Sequence, residues 1–180
     1  MRFLMITFVA MMSFTPPKLV KTQIAEGITV SLPKDFRPMD AMDFTERYPS
    51  VRAPIAAYTN ENRDVDFSLN VSATQWPDAD AALAQKFFKA SLFHMFDRVE
   101  MVREGIREVN GKKFIFFEFE SRVNGTRQDE ALRSPVLRYS YMVYKVDPVK
   151  TLVFSFNCPQ RLRKDWEATA QAIMKSIKIK

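Results

Sequence analysis

Residues 113–122 read KFIFFEFESR, and that alternation decides the fold. Ile115, Phe117 and Phe119 point to one face, while Phe114, Phe116, Glu118 and Glu120 share the other. Period-two alternation predicts a strand in a sheet with one packed face and one wetter face. Two more strands follow directly. Leu137, Tyr139, Tyr141 and Val143 line one face of the first, and Leu152, Phe154, Phe156 and Cys158 line one face of the next. Asn124–Gly125 opens a longer connection holding Arg127, Gln128, Asp129, Glu130 and Arg133, and Asp147–Pro148 makes the tighter turn. Upstream, Asn110–Gly111 is a two-residue hairpin signal. It makes 99–109, where Val99, Met101, Gly105 and Val109 interleave with charges, a solvated edge or curled strand.

The remaining segments read as cover for that sheet. Ile28, Val30 and Leu32 alternate up to Pro33 and predict a short peripheral edge strand, since proline cannot donate to a ladder. Residues 34–53 hold Pro38 and Pro49 and predict irregular chain with a helical turn around 39–47. Residues 55–59 and 65–73 predict a hairpin across the polar turn 60–63, with Val65, Phe67, Leu69, Val71 and Ala73 inward and Asp66, Ser68, Asn70 and Ser72 outward. A helix capped by Asp78 or Asp80 follows. Its apolar stripe is Leu83, Phe87, Phe88, Ser91, Leu92 and Met95. A closing helix over about 162–177 sets Trp166, Ala170, Ile173, Met174 and Ile177 on one side. Strands in runs with two main helices predict an α+β domain, an antiparallel sheet of about six to seven strands covered by helices.

Length and composition bound what this domain does. The chain has 180 residues, 47% of them hydrophobic, which suits a single core. Only 4 glycines are present, so the glycine-rich phosphate loops have no material. Arg2 followed by the apolar run 3–14 has the layout of a signal peptide and is too short to span a bilayer. The reading is therefore a leader over 1–26 and a single domain over 27–180, exported to the periplasm or envelope. The alternative is a start at Met11 or Met12 and a cytoplasmic product. The formal charge is +6, falling to about +4 without the leader, which favours solubility and permits an anionic partner.

Candidate chemistry is thin. His94 is the single histidine, so multi-histidine zinc sites are excluded and any His-dependent catalysis rests on one helical ring. Cys158 closes an apolar strand face and reads as a packing residue. Glu118 and Glu120 resemble a carboxylate pair, but Arg122 on the same face and Arg138 on the next strand make a solvated charge ladder the better reading. Asp64 and Asp66 with Asn60 and Asn62 lack the glycine and closing glutamate of a calcium loop. No catalytic residue, metal site or cofactor is assigned. Two surfaces remain. Arg122, Arg127, Arg133 and Arg138 frame the long loop and form a candidate surface for a protein partner or an anion, too sparse and too mixed with acids for nucleic acid. Met39, Met42, Phe44 and Tyr48 form a candidate apolar cleft between the sheet and residues 34–53.

Several local phrases resemble one family. The run Ile28 to Pro33 with Phe36, the Asn110–Gly111–Lys112 turn before an aromatic strand, and Trp166 in a terminal helix closing as Ser176–Ile177–Lys178 are similar to the PsbP-like superfamily. That superfamily includes an extrinsic photosystem II subunit, a Ran-binding nuclear import factor and bacterial envelope proteins. The resemblance implies a PsbP-like α/β/α sandwich and a non-enzymatic domain that binds another protein or assists assembly. Some bacterial relatives resemble adaptors that shield apolar segments of secretion effectors, which suits the cytoplasmic alternative. A small-ligand carrier or hydrolase, using the apolar cleft, is the other reading.

Overall fold

A computed structural model describes residues 17–48, 53–72, 74–76, 78–109, 111–124 and 134–180. In chain order the elements are β1 (Leu19–Ala25), β2 (Ile28–Pro33), β3 (Arg37–Pro38), α1 (Ala41–Arg47), β4 (Ala56–Thr59), β5 (Asp66–Ser72), α2 (Ala81–Met95), β6 (Arg98–Val109), β7 (Lys112–Val123), β8 (Val136–Val146), β9 (Thr151–Pro159), α3 (Arg163–Lys175) and β10 (Lys178–Ile179). Seven strands form one sheet in the order β3-β4-β5-β9-β8-β7-β6, and β1, β2 and β10 form a smaller one. Every pairing described is antiparallel. The fold is α+β, as the strand runs predict.

The alternation of β7 decides which layer each side chain joins. Phe114 and Phe116 face α3 and the small sheet, where Trp166, Ala170, Ile173 and Met174 meet Val30, Leu32, Phe67, Leu69, Phe154 and Phe156. Ile115, Phe117 and Phe119 face α2, packed with Ala84, Phe88 and Leu92. Phe88 stacks on Tyr144 with ring centroids 4.2 Å apart. Both faces are therefore covered, whereas the sequence predicts one wetter face. Covering both faces raises the share of surface that a chain of this size removes from water.

That second cover changes the status of Glu118. It is not part of a solvated ladder: its exposure is 0%. Arg103 grips one carboxylate oxygen through Nε at 2.8 Å and through its terminal nitrogen. The Tyr139 hydroxyl donates to the other oxygen at 2.7 Å and the Gln171 amide at 3.2 Å. Arg103 arrives there because a bulge in β6 between Met101 and Arg103 shifts the register by one residue. Without it Val102 would face the carboxylate, so the bulge re-aims a guanidinium into the layer. Glu120, one pleat along, receives Arg163 at 2.5 Å and Gln160. Arg138 does not share this face. It pairs with Ser121, and Leu137 pairs with Arg122, so the two arginines point to opposite sides of the sheet.

Three other expectations shift. Strand β2 is the centre of the small sheet, with β1 on one side and β10 on the other, and Ile28, Val30 and Leu32 are buried. Its neighbour β1 covers 19–25, where the sequence reading placed no strand, and pairs antiparallel with β2. In α2 the buried side is Ala84, Phe88 and Leu92, and Leu83 and Phe87 stand outward. The helix is apolar on two sides, which is why its stripe alone does not tell which side meets the sheet. Asp80 caps it, its carboxylate accepting from the amides of Ala82 and Leu83. At the β6–β7 turn Asn110 lies outside the described residues, and Gly111 adopts φ +71°, the conformation a primed hairpin turn requires.

Candidate functional site

The helix α1 is short and held mainly by charge. Asp40 accepts from the Asp43 amide at 2.9 Å while Asp43 accepts from the Asp40 amide at 3.1 Å, a reciprocal capping box. The buried Asp43 carboxylate also takes Arg37 at 2.9 Å and Arg63 at 2.6 Å. Arg63 reaches it from a left-handed turn, φ 57°, closed by its amide on the Asn60 carbonyl. Burial pushes Asp43 upward, but the Asp40 amide and the two guanidiniums outweigh that and bring it to about 2.

The last residue of α1 carries the link to the sheet. Arg47 donates to Asp66 on β5 at 2.9 Å, and Asn157 on β9 donates to the other Asp66 oxygen at 2.9 Å. Asn157 in turn accepts from the Ser140 hydroxyl on β8 at 2.9 Å. The chain Arg47–Asp66–Asn157–Ser140 thus crosses three strands on the face that α2 covers further along. Burial raises the pKa of Asp66, and Asn157, Arg47 and Arg138 pull it the other way. Burial, and the nearby Asp66 carboxylate after it, also raise Tyr48. A desolvated carboxylate with named charge partners in a recess is the physical mark of a binding or catalytic position.

Here the sheet leaves a cleft of about 390 Å³, lined by Glu46, Arg47, Arg63, Asp66, Arg138 and Asn157 with Val136, Leu137 and Pro159. It lies between the sheet and the 34–53 segment, where the sequence analysis places an apolar cleft, but its lining is different. Met39 is buried, Met42 is exposed, and Phe44 and Tyr48 are half-buried with rings 6.0 Å apart. Of the arginine set, Arg138 lines the cleft, Arg122 lies on the other face bonded to Asn124 at 2.7 Å, and Arg127 and Arg133 lie outside the described residues. Arg47, Asp66 and Asn157 were missed as site residues. Asp66 sits at an outward position of an alternating strand, and only the docking of α1 turns that position into a floor.

The arrangement suits recognition by charge better than covalent chemistry. Cys158 is buried on the α3 side, and burial pushes its thiol up to about 12, so little thiolate is present near neutral pH. His94 is exposed on α2. Among the described residues, no cluster of three or more His, Cys, Asp or Glu is set to hold a metal ion. A second surface of different character lies on α2. Leu83 and Phe87, one turn apart, are 57% and 46% exposed, and Trp76 meets the Phe87 ring edge-on at 5.5 Å. Phe93 and Met95 are exposed in the last turn.

Solved structures superpose on this fold over most of their length. Cyanobacterial PsbP from Synechocystis sp. PCC 6803 superposes with a TM-score of 0.61 at 11% identity, covering 96% of this chain and 99% of that one. The chain has the PsbP-like fold. The Ran-binding protein Mog1p of Saccharomyces cerevisiae shares the PsbP-like architecture at TM-score 0.55 and 11% identity, over 91% of this chain and 96% of its own. LpqN, involved in cell envelope biogenesis of Mycobacterium tuberculosis, matches at TM-score 0.54 and 13% identity, over 89% and 91%. At such identities the likeness concerns the PsbP-like fold alone. No protein-family model and no curated protein matches the sequence. Among the described residues no helix is long and apolar enough to cross a membrane.

Proposed function

We propose that this chain is a non-enzymatic binding or assembly factor, exported to the cell envelope, that engages another protein through the outer face of α2. The observation that carries this reading is the outward pair Leu83 and Phe87 on a helix whose other side already packs on the sheet. Large apolar side chains grouped on one helix face mark interaction surfaces. Two of the similar solved structures support it in kind: one is described as Ran-binding and one as involved in cell envelope biogenesis. The leader belongs to the same proposal.

The test is site-specific photo-crosslinking in native cells from position 87, with position 164 on the exposed side of α3 as control. The expected result is one partner captured from 87 and not from 164. The purified partner should then bind at least about tenfold more weakly to Phe87→Glu, as loss of a central aromatic contact costs about 2 kcal/mol. Equal capture from both positions, or unchanged affinity of Phe87→Glu, would overturn the reading. A second reading, a small-ligand carrier, is favoured by a specific observation of its own: a cleft of about 390 Å³ with converging polar groups.

A further inference from the structure

We propose that the cleft between α1 and the start of β8 binds a carboxylate carried on a short apolar body, with Arg138 as the residue that takes the charge. This rests on the small-ligand reading and names its ligand. The cleft has two unlike walls. One is charged and is built from α1, the turn before β5, and β5 itself; the other is Val136, Leu137 and Pro159.

The pairing inside the charged wall selects the ligand. Arg47 is engaged by Asp66 at 2.9 Å, and Arg63 by Asp43 at 2.6 Å and Glu46 at 2.9 Å. Asp66 has Asn157 on its second oxygen, while Asp64 accepts from Asn60 at 2.8 Å and lies 4.0 Å from Arg161. These contacts leave Arg138 as the cleft guanidinium without an ion-pair partner among the described residues. A planar guanidinium presents a fork of donors that matches the two oxygens of a carboxylate. An amine is disfavoured, because each carboxylate of the cleft already has a cation or amide donor. A dianion is disfavoured too, because Asp64 and Asp66 lie in the same recess and one spare cation balances one charge. The opposite wall supplies contact for hydrocarbon, and a volume of about 390 Å³ has room for a short acid or a terminal residue. Two sources share this chemistry: a free short-chain acid and the C-terminus of a peptide.

Four probes separate the possibilities in two-dimensional NMR titrations of the full chain: valerate, valeramide, a tetrapeptide ending in valine with a free carboxyl, and the same peptide amidated. Saturable shifts at Arg138, Asp66 and Asn157 are expected with an acid, and the matching amide should bind at least about tenfold more weakly. Arg138→Gln should weaken the acid by about tenfold or more while its spectrum elsewhere stays that of the folded chain, since Arg138 is exposed. Preference for valerate identifies the free-acid source, and preference for the free-carboxyl peptide identifies the C-terminal one. An amide that binds as well as its acid would overturn the carboxylate assignment and leave the small-ligand reading standing. No saturable shift at the cleft from any probe up to about 20 mM would overturn the proposal. A fragment screen without cleft hits would then remove the small-ligand reading as well.

Discussion

Removing one oxygen from Tyr139 tests whether the sealed carboxylate holds the two layers together. In Tyr139→Phe the ring stays in place against Phe156, at 6.5 Å, and under the Arg163 guanidinium, at 5.6 Å. What is lost is the 2.7 Å bond to Glu118, whose carboxylate has no exposed area to recruit water. The remaining partner on that oxygen is the Gln171 amide at 3.2 Å. Burial and the Glu118 bond both raise the Tyr139 pKa, so the phenol is a proton donor throughout the neutral range. A hydrogen bond to a charged group contributes about 1.5–3 kcal/mol, and stranding a buried acceptor lies toward the upper part of that range. The expected loss is about 2 kcal/mol, a fall in Tm of about 4–8 °C for a chain of this length. Gln171→Leu, which removes a longer bond from a neutral donor, should cost under about 1 kcal/mol. Urea denaturation followed by circular dichroism measures both. If Tyr139→Phe falls within about 0.5 kcal/mol of the parent, the hydroxyl is dispensable and the reasoning fails.

Three further outcomes follow from the same geometry. A methyl at Gly105 would lie 3.2 Å from the Phe116 ring, so Gly105→Ala should destabilise by about 1 kcal/mol despite the usual preference of strands for residues other than glycine, as measured by urea midpoint. Asp43 is held at about 2, below its ordinary 3.8, so its contribution is present above pH 3.8 and fades as pH falls through 2. Its partners Arg37 and Arg63 are more than a third exposed, and water screening of them reduces that contribution to on the order of 1 kcal/mol. Asp43→Asn should therefore flatten the acid limb of the stability profile between those pH values, and an unchanged limb would exclude Asp43 as its source. Cys158 should resist a thiol reagent at pH 8 in the folded chain and react only after denaturation, since burial has pushed its thiol up to about 12. Rapid labelling under native conditions would contradict its placement.

The central strands were legible because each keeps one phase from end to end. β7, β8 and β9 assign Phe117, Tyr141 and Phe156 to their layers without tertiary information. β6 was legible as an edge strand, and it does end the large sheet, but its facing was not, because the bulge at Val102 inverts its phase halfway, putting Arg98 and Glu100 on one side with Arg103, Gly105 and Arg107. Read straight through, that strand appears mixed. Glu118 was misread for a related reason: its neighbours in sequence do not reveal α3 overhead or the arginine that the bulge delivers. β1 escaped notice since Leu19–Ala25 lies close behind an apolar leader-like run and carries exposed Lys21. The cleft depends on α1 docking by ion pairs between residues up to 20 positions apart in sequence, such as Arg63 with Asp43. Such pairs leave no periodic trace. Only Arg138 was found in advance, as a charge at the foot of a long loop.

The charge balance also explains how a short helix stays in place. α1 contributes one buried side chain, Asp43, and no large apolar one. Its position rests on Arg37, Arg63 and Arg47 reaching acceptors on both sides of it. Partly buried pairs with two or three partners are worth more than isolated surface pairs, yet they weaken with salt. The cleft that α1 walls is accordingly built from groups whose contacts are already made, apart from Arg138.

The most direct test of the binding account is the affinity of the partner captured at position 87 for three purified proteins: the parent chain, Phe87→Glu and Arg138→Gln. The account expects Phe87→Glu to bind at least about tenfold more weakly and Arg138→Gln to match the parent, because the two residues belong to separate surfaces. Equal affinity of all three, or loss confined to Arg138→Gln, would contradict the assignment of α2 as the interface.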